Sequence, residues 1–145
     1  MYSQRISTVM NPDKLLTAPP ATTVAAAAAM LAAKNVGAVL VVDAGKLVGI
    51  FTERDAVYRV MAKGLDPSAT LISGVMTPSP LTAGPDDTFG YALLVMSEKG
   101  FRHMPVVENG TPVGIVSARH ALDPDLEEFV SEARRRQALG EPRVK

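Results

Sequence analysis

Apolar side chains fall into two kinds of run along this chain. One kind is long and rich in alanine, leucine or methionine: VAAAAAMLAA at 24–33 follows Thr22 and Thr23, and a second stretch follows Asp86–Thr88 and ends near Gly100. Threonine and aspartate just before an apolar stretch offer helix N-caps, and alanine at this density brings helix propensity and close approach to a neighbour. The pattern predicts helices from Thr22–Thr23 to about Asn35 and from Asp86–Thr88 to about Gly100. The other kind of run is short and rich in β-branched side chains: AVLVVD then KLVGIFT, and HMPVVE then PVGIVS. Runs of this length and composition predict strands. Asp43-Ala44-Gly45-Lys46 and Glu108-Asn109-Gly110-Thr111 separate the members of each pair, and Asn-Gly supplies the positive φ angles of a tight antiparallel hairpin. A further helix is predicted after each hairpin, ERDAVYRVMAKG before Asp66-Pro67 and a shorter one before Asp123-Pro124, because proline disfavours helix in the residue that precedes it. Short extended lead-ins near Leu15–Ala18 and Pro80–Ala83 complete each unit.

The two units are copies. At a spacing of 65, VGAVLVVDAGKLVGIFTERDAV (36–57) and FRHMPVVENGTPVGIVSARHAL (101–122) share eight residues, and at a spacing of 66, ISTVMNP (6–12) and ISGVMTP (72–78) agree at five of seven places. The expected organisation is a first repeat over 1–66, a second over 67–123 and a C-terminal helix with a basic tail over 124–145. A unit of about 60 residues is marginal alone, so the copies are expected to pack sheet to sheet about a pseudo-twofold axis, with a cleft between them. The fold class is α+β, with mixed helices and strands.

Chemistry enters at GIFTERD (49–55). A strand running into a helix start aims free backbone N–H groups at the cleft, where an anion is favoured. Thr52 adds a hydroxyl, Arg54 a fork-shaped cation and Asp55 a carboxylate able to accept from vicinal hydroxyls, so a ribose phosphate would use all three. The same Thr-x-x-Asp spacing also describes a capping box that binds nothing. Gly49 in the strand and the small pair Gly37-Ala38 at the start of its neighbour leave room for a flat base.

With VGIFTERD in one copy and RHMPVVENGTPVGIVSARH in the other, residues 3–123 resemble a tandem cystathionine-beta-synthase (CBS) domain pair, or Bateman module. The resemblance implies two β-α-β-β-α units and adenosine-containing ligands in the clefts between them. Carried over by position, it implies Thr52, Arg54 and Asp55 at ribose and phosphate, with Thr17, Ala18, Val36, Gly37 and Ala38 around the base. It also implies that Arg102 and His103 reach ligand phosphates across the cleft. An exposed arginine beside a half-buried histidine is the alternative. In copy two the same positions are Thr82, Ala83, Ser117, Arg119 and His120. The imidazole of His120 stands where copy one has a carboxylate, and it cannot accept from two ribose hydroxyls. One competent site on copy one, and a weaker, altered or empty second, is the expectation. Tyr58 and Arg59 are read as core and solvent face, and the methionines as adaptable packing.

Composition narrows the rest. Fifteen basic and fifteen acidic residues give zero formal net charge, so the field that draws nucleic acid is missing. The one basic patch is the tail, where 132–145 hold five basic and two acidic groups. Residues 126–133 place Leu126, Phe129, Val130 and Ala133 at helical spacing. With no cysteine, thiolate zinc sites and thiol nucleophiles are excluded. The ten-residue apolar run at 24–33 falls short of the roughly 20 needed to cross a bilayer, so neither membrane nor metal is expected, and the cytoplasm is the expected compartment. No nucleophile elbow, dinucleotide or Walker phosphate loop occurs, which points away from catalysis. The resulting expectation is a stand-alone sensor, most simply a homodimer, that binds AMP, ADP or ATP, or else S-adenosylmethionine or NAD(H). It would need no cofactor and would signal to a regulated protein in trans. A ligand-free dimerisation scaffold is the alternative, and a small nucleotide hydrolase a more distant one.

Overall fold

The computed structural model describes residues 2–121 and 123–140; the side chains at 120, 121, 123–128, 130 and 131 lie outside that description. The helices are α1 (Ile6–Val9), α2 (Val24–Lys34), α3 (Glu53–Asp55), α4 (Phe89–Lys99) and α5 (Asp123–Ala138). The strands are β1 (Thr17–Ala18), β2 (Ala38–Asp43), β3 (Lys46–Thr52), β4 (Thr77–Pro78), β5 (His103–Glu108) and β6 (Thr111–Ser117).

The long helices begin and end where the side chains allow. Thr23 caps α2 by accepting from the N–H of Ala26, and Thr88 caps α4 by accepting from that of Tyr91. Asn35 and Gly100 close them in the left-handed conformation, which relieves the last carbonyls. Both hairpins are antiparallel, with Ala38 opposite Thr52 and His103 opposite Ser117, and each carries a register shift at its equivalent valine pair. Their turns match too: φ is 50° and 78° at Ala44-Gly45, and 53° and 79° at Asn109-Gly110.

The helix predicted over ERDAVYRVMAKG is a single α-turn followed by a π-helical stretch at Ala56–Met61. Its wider turns, such as Ala62 N–H to Val57 carbonyl, coincide with Arg59 being tied to Asp55 and to the carbonyls of Val75 and Met76 in the lead segment of copy two. In copy two the helix predicted before Asp123-Pro124 is a 3-10 turn at Ala118–Ala121, and those two residues instead open α5. Proline fits the first turn of a helix, where its missing N–H costs nothing.

The sheets order as β1-β2-β3-β4 and β5-β6, with β1 parallel to β2 and its counterpart in copy two reduced to a bridge from Ala83 to Val106. Between the sheets Ala38, Leu40 and Ile50 bury against Ile115, and the hairpin tips meet where Gly110 accepts from the N–H of Leu47. Each repeat also lends its lead segment to the other. Ile72, Val75 and Met76 pack with the helix and strands of copy one, whereas Ile6, Val9 and Met10 pack with those of copy two. The exchange is symmetric in its hydrogen bonds: Ile6 N–H to Asp87 carbonyl and Ile72 N–H to Thr22 carbonyl are both 2.8 Å. Each traded methionine lies over the glycine of the VGI strand, Met76 on Gly49 and Met10 on Gly114, in space that a Cβ would fill.

Candidate functional site

At the end of β3 the two readings of Thr-x-x-Asp meet in one geometry. The capping box is formed: Thr52 Oγ1 accepts from the Asp55 N–H at 3.3 Å, and Asp55 Oδ2 accepts from the Thr52 N–H at 2.9 Å and from its hydroxyl at 3.2 Å. Asp55 is buried, and its other oxygen pairs with Arg59 Nε at 3.4 Å. Arg59 in turn donates to the carbonyls of Val75 and Met76 at 3.2 and 3.1 Å. A carboxylate offers about four lone-pair positions, so the cap and the ion pair leave Asp55 acceptor capacity toward the cleft.

That cleft is a cavity of about 710 Å³. Copy one supplies Thr52, Glu53, Arg54 and Asp55; copy two supplies Lys99, Arg102 and His103. The walls between them come from Thr77 and Ser79–Leu81 in the lead segment of copy two, and Ser79 holds the positive φ of 44° that non-glycine residues adopt in sites of stored strain. Arg54 lies over the ring of Tyr58, 5.0 Å from its centroid, a cation–π contact at the cavity wall. The balance is cationic, with Arg54, Arg59, Lys99 and Arg102 against Glu53 and Asp55.

A second cavity of about 190 Å³ holds Val36, Gly37, Ala38, Ser117 and Arg119, together with Lys14. The residues expected around one site are thus divided. Thr52, Arg54, Asp55, Arg102 and His103 line the larger cavity, but Val36, Gly37 and Ala38 line the smaller one with Ser117 and Arg119. The pseudo-twofold packing of the copies is the reason: each cavity joins the motif of one copy to the strand entry of the other. The backbone between them is closed by Glu53 N–H to Gly37 carbonyl at 3.0 Å and, in copy two, Ala118 N–H to Arg102 carbonyl at 2.9 Å. His103 lines both cavities, with its Nε2 about where a Cβ on Gly37 would press.

Thr17, Ala18, Thr82 and Ala83 line neither cavity. Ala18 and Ala83 are core residues, because parallel pairing with β2 and β5 turns them inward. Pro80 and Leu81, earlier in the same lead-in, reach the larger cavity instead. The backbone of His120 lies in the 3-10 turn after β6, and its side chain is outside the described residues. Tyr58, read as core, is 62% exposed and lines the cavity with Arg59. Its position four residues after Arg54 was the available signal. Lys99, the last residue of α4, carried no motif at all.

The CBS domain model matches residues 6–62 and again 72–126. The chain belongs to the CBS domain family. It is a tandem CBS pair, similar to the CBS domain-containing protein CBSCBSPB3 of Arabidopsis thaliana, with 39% identity over 127 residues covering 87% of this chain and 23% of that protein. The chain thus spans about a quarter of the length of that protein and of the similar CBSCBSPB2. Among solved structures, an uncharacterized conserved protein from Pyrococcus horikoshii superposes with a TM-score of 0.79 at 29% identity, covering 86% of this chain and 94% of that one. The CBS domain pair of protein MJ0100, solved in complex with 5′-methylthioadenosine and S-adenosyl-L-methionine, gives a TM-score of 0.75 at 26% identity, covering 84% and 99%. Among the described residues no helix is long and apolar enough to cross a membrane.

Proposed function

We propose that this CBS pair is a non-catalytic regulatory module of the cytoplasm that binds AMP, ADP or ATP in the larger cavity. The observation that carries the reading is the meeting, in one space of about 710 Å³, of the Thr52–Asp55 pair from copy one with Lys99, Arg102 and His103 from copy two. That volume falls in the range of roughly 300–1,000 Å³ typical of small-molecule sites. Asp55 serves the ribose hydroxyls; Arg54, Arg102 and Lys99 serve phosphate. The related MJ0100 pair holds adenosine compounds without phosphate. Arg54, Lys99 and Arg102, which line this cavity, favour the phosphorylated members of that class over S-adenosylmethionine, with NAD(H) as a further phosphate-bearing candidate. Because the ligand touches both repeats, it stabilises the arrangement it binds best, and a second copy or a regulated partner in trans reads that arrangement.

One observation favours a ligand-free scaffold instead: Thr52 and Asp55 already satisfy one another as a cap. Titration of the ligand-stripped full chain with AMP, ADP, ATP and S-adenosylmethionine separates the readings. Saturable binding that is tighter for the phosphorylated ligands, with nucleotide recovered intact, is expected. A folded protein that binds none of them is a scaffold, and one that consumes nucleotide is an enzyme.

A further inference from the structure

The arginines of the larger cavity are held in different ways. Arg54 is exposed and lies over the ring of Tyr58. Arg59, on the π-helical turn that follows, sets its Nε 3.4 Å from Asp55 Oδ1, and its Nη1 donates to the carbonyls of both Val75 and Met76 at 3.2 and 3.1 Å. A guanidinium carries its five N–H donors in one rigid plane, so turning this head group toward a ligand would break its contacts with copy two. Asp55 is gripped at its other oxygen as well, because Oδ2 accepts from the N–H and the hydroxyl of Thr52. The cap alone fixes one oxygen and leaves the carboxylate able to swing about it. The guanidinium on the second oxygen removes that freedom.

The carbonyls that receive Arg59 belong to the segment that goes on to wall the cavity. Thr77, directly after Met76, pairs with Ile50 of β3, and the Ser79 N–H donates to the Val48 carbonyl at 3.1 Å. Both Thr77 and Ser79 line the cavity. One planar side chain therefore joins the carboxylate at the end of β3 to the wall supplied by copy two. We propose that Arg59 is a positioning residue: it touches no ligand atom, and it sets the affinity for ribose by holding Asp55 against the lead segment of copy two. The proposal rests on the reading of Asp55 as the ribose acceptor. A ligand that meets an acceptor already oriented gives up less freedom on binding; with Arg59 removed, that ordering falls on the binding step.

The test is a calorimetric titration of AMP, and of adenosine in competition with it, into the full, ligand-stripped chain. It compares the parent with Arg59→Gln, Asp55→Asn and the double variant. The Arg59 side chain is 46% exposed, so Arg59→Gln is expected to fold, which its unfolding curve checks; if it does not, Arg59→Lys, which keeps the cation without the fork, is read in the same way. Arg59→Gln is expected to weaken AMP and adenosine by the same factor, about three- to tenfold, the worth of ordering one side chain. It is expected to bring no further loss once Asp55 is asparagine. A loss confined to AMP overturns the proposal by making Arg59 a phosphate ligand. A loss of equal size in the Asp55→Asn background overturns it too, because the arginine then acts without that carboxylate. So does binding that is unchanged in Arg59→Gln, or tighter, the latter meaning that Arg59 competes with ribose for Asp55. A parent chain that binds neither ligand defeats the nucleotide reading and this proposal with it, whereas a parent and an Arg59→Gln that bind equally well defeat this proposal alone.

Discussion

Asp55 is where stability and the proposed recognition of ribose meet, and the two can be separated by one oxygen. In Asp55→Asn the amide oxygen can still cap Thr52, but the negative charge and the pairing with Arg59 are gone. AMP affinity is expected to fall by about tenfold or more, the worth of a charged hydrogen bond to ribose, while unfolding free energy changes by only about 1 kcal/mol. Equal nucleotide affinity in the variant and the parent would make Thr52-x-x-Asp55 a cap only. A second residue prediction concerns Ala44, which holds φ at 50° where copy two has Asn109. The left-handed conformation costs an alanine roughly 1–2 kcal/mol, and asparagine tolerates it better. Ala44→Asn should therefore raise stability by about 1 kcal/mol in a denaturant titration, and a fall would mean the turn is held by other contacts. At this scale the sequence spoke clearly about Thr52, Arg54 and Asp55, because repetition and spacing mark the motif. It misread Tyr58 because the apolar Ala56, Val57 and Val60 around it in the sequence suggest core, whereas its own helix face carries Arg54 and is exposed.

At the scale of elements, the most consequential feature is the exchange of the ISTVMNP and ISGVMTP segments. Ile6 and Ile72 are fully buried, each in the core built by the other repeat. Ile6→Ala and Ile72→Ala are each expected to cost about 2–5 kcal/mol, measured by chemical denaturation, and by similar amounts because their settings are matched. A fragment comprising 1–66 lacks Ile72, Val75 and Met76 and should show no cooperative unfolding transition; a sharp one would show that the exchange is dispensable. Helices, hairpins and the repeat were legible because capping threonines, β-branched runs and Asn-Gly are local signals. The exchange was not, since two similar lead segments fit either neighbour equally well on paper and only three-dimensional closure decides between them. For the same reason Val36, Gly37 and Ala38 belong to the other cavity from Asp55. The π-helical turn at Ala56–Met61 was equally hidden, because the contacts of Arg59 with the carbonyls of Val75 and Met76 that accompany it are made to a segment distant in sequence.

For the whole molecule, pseudo-twofold symmetry generates two clefts, and sequence divergence between the copies makes them unequal. The copies share a frame down to the bulged hairpins and the methionine over each VGI glycine, yet the cavities differ in volume, about 710 against 190 Å³, and in charge. His103 lines both, so occupancy of one is expected to alter the other. The most direct test of an asymmetric sensor is the number of nucleotides held per chain. Titration of AMP into the ligand-stripped protein, beside Asp55→Asn and Arg119→Gln, should give one site per chain that Asp55→Asn loses and Arg119→Gln keeps. Two equivalent sites, or none in a folded sample, would contradict it.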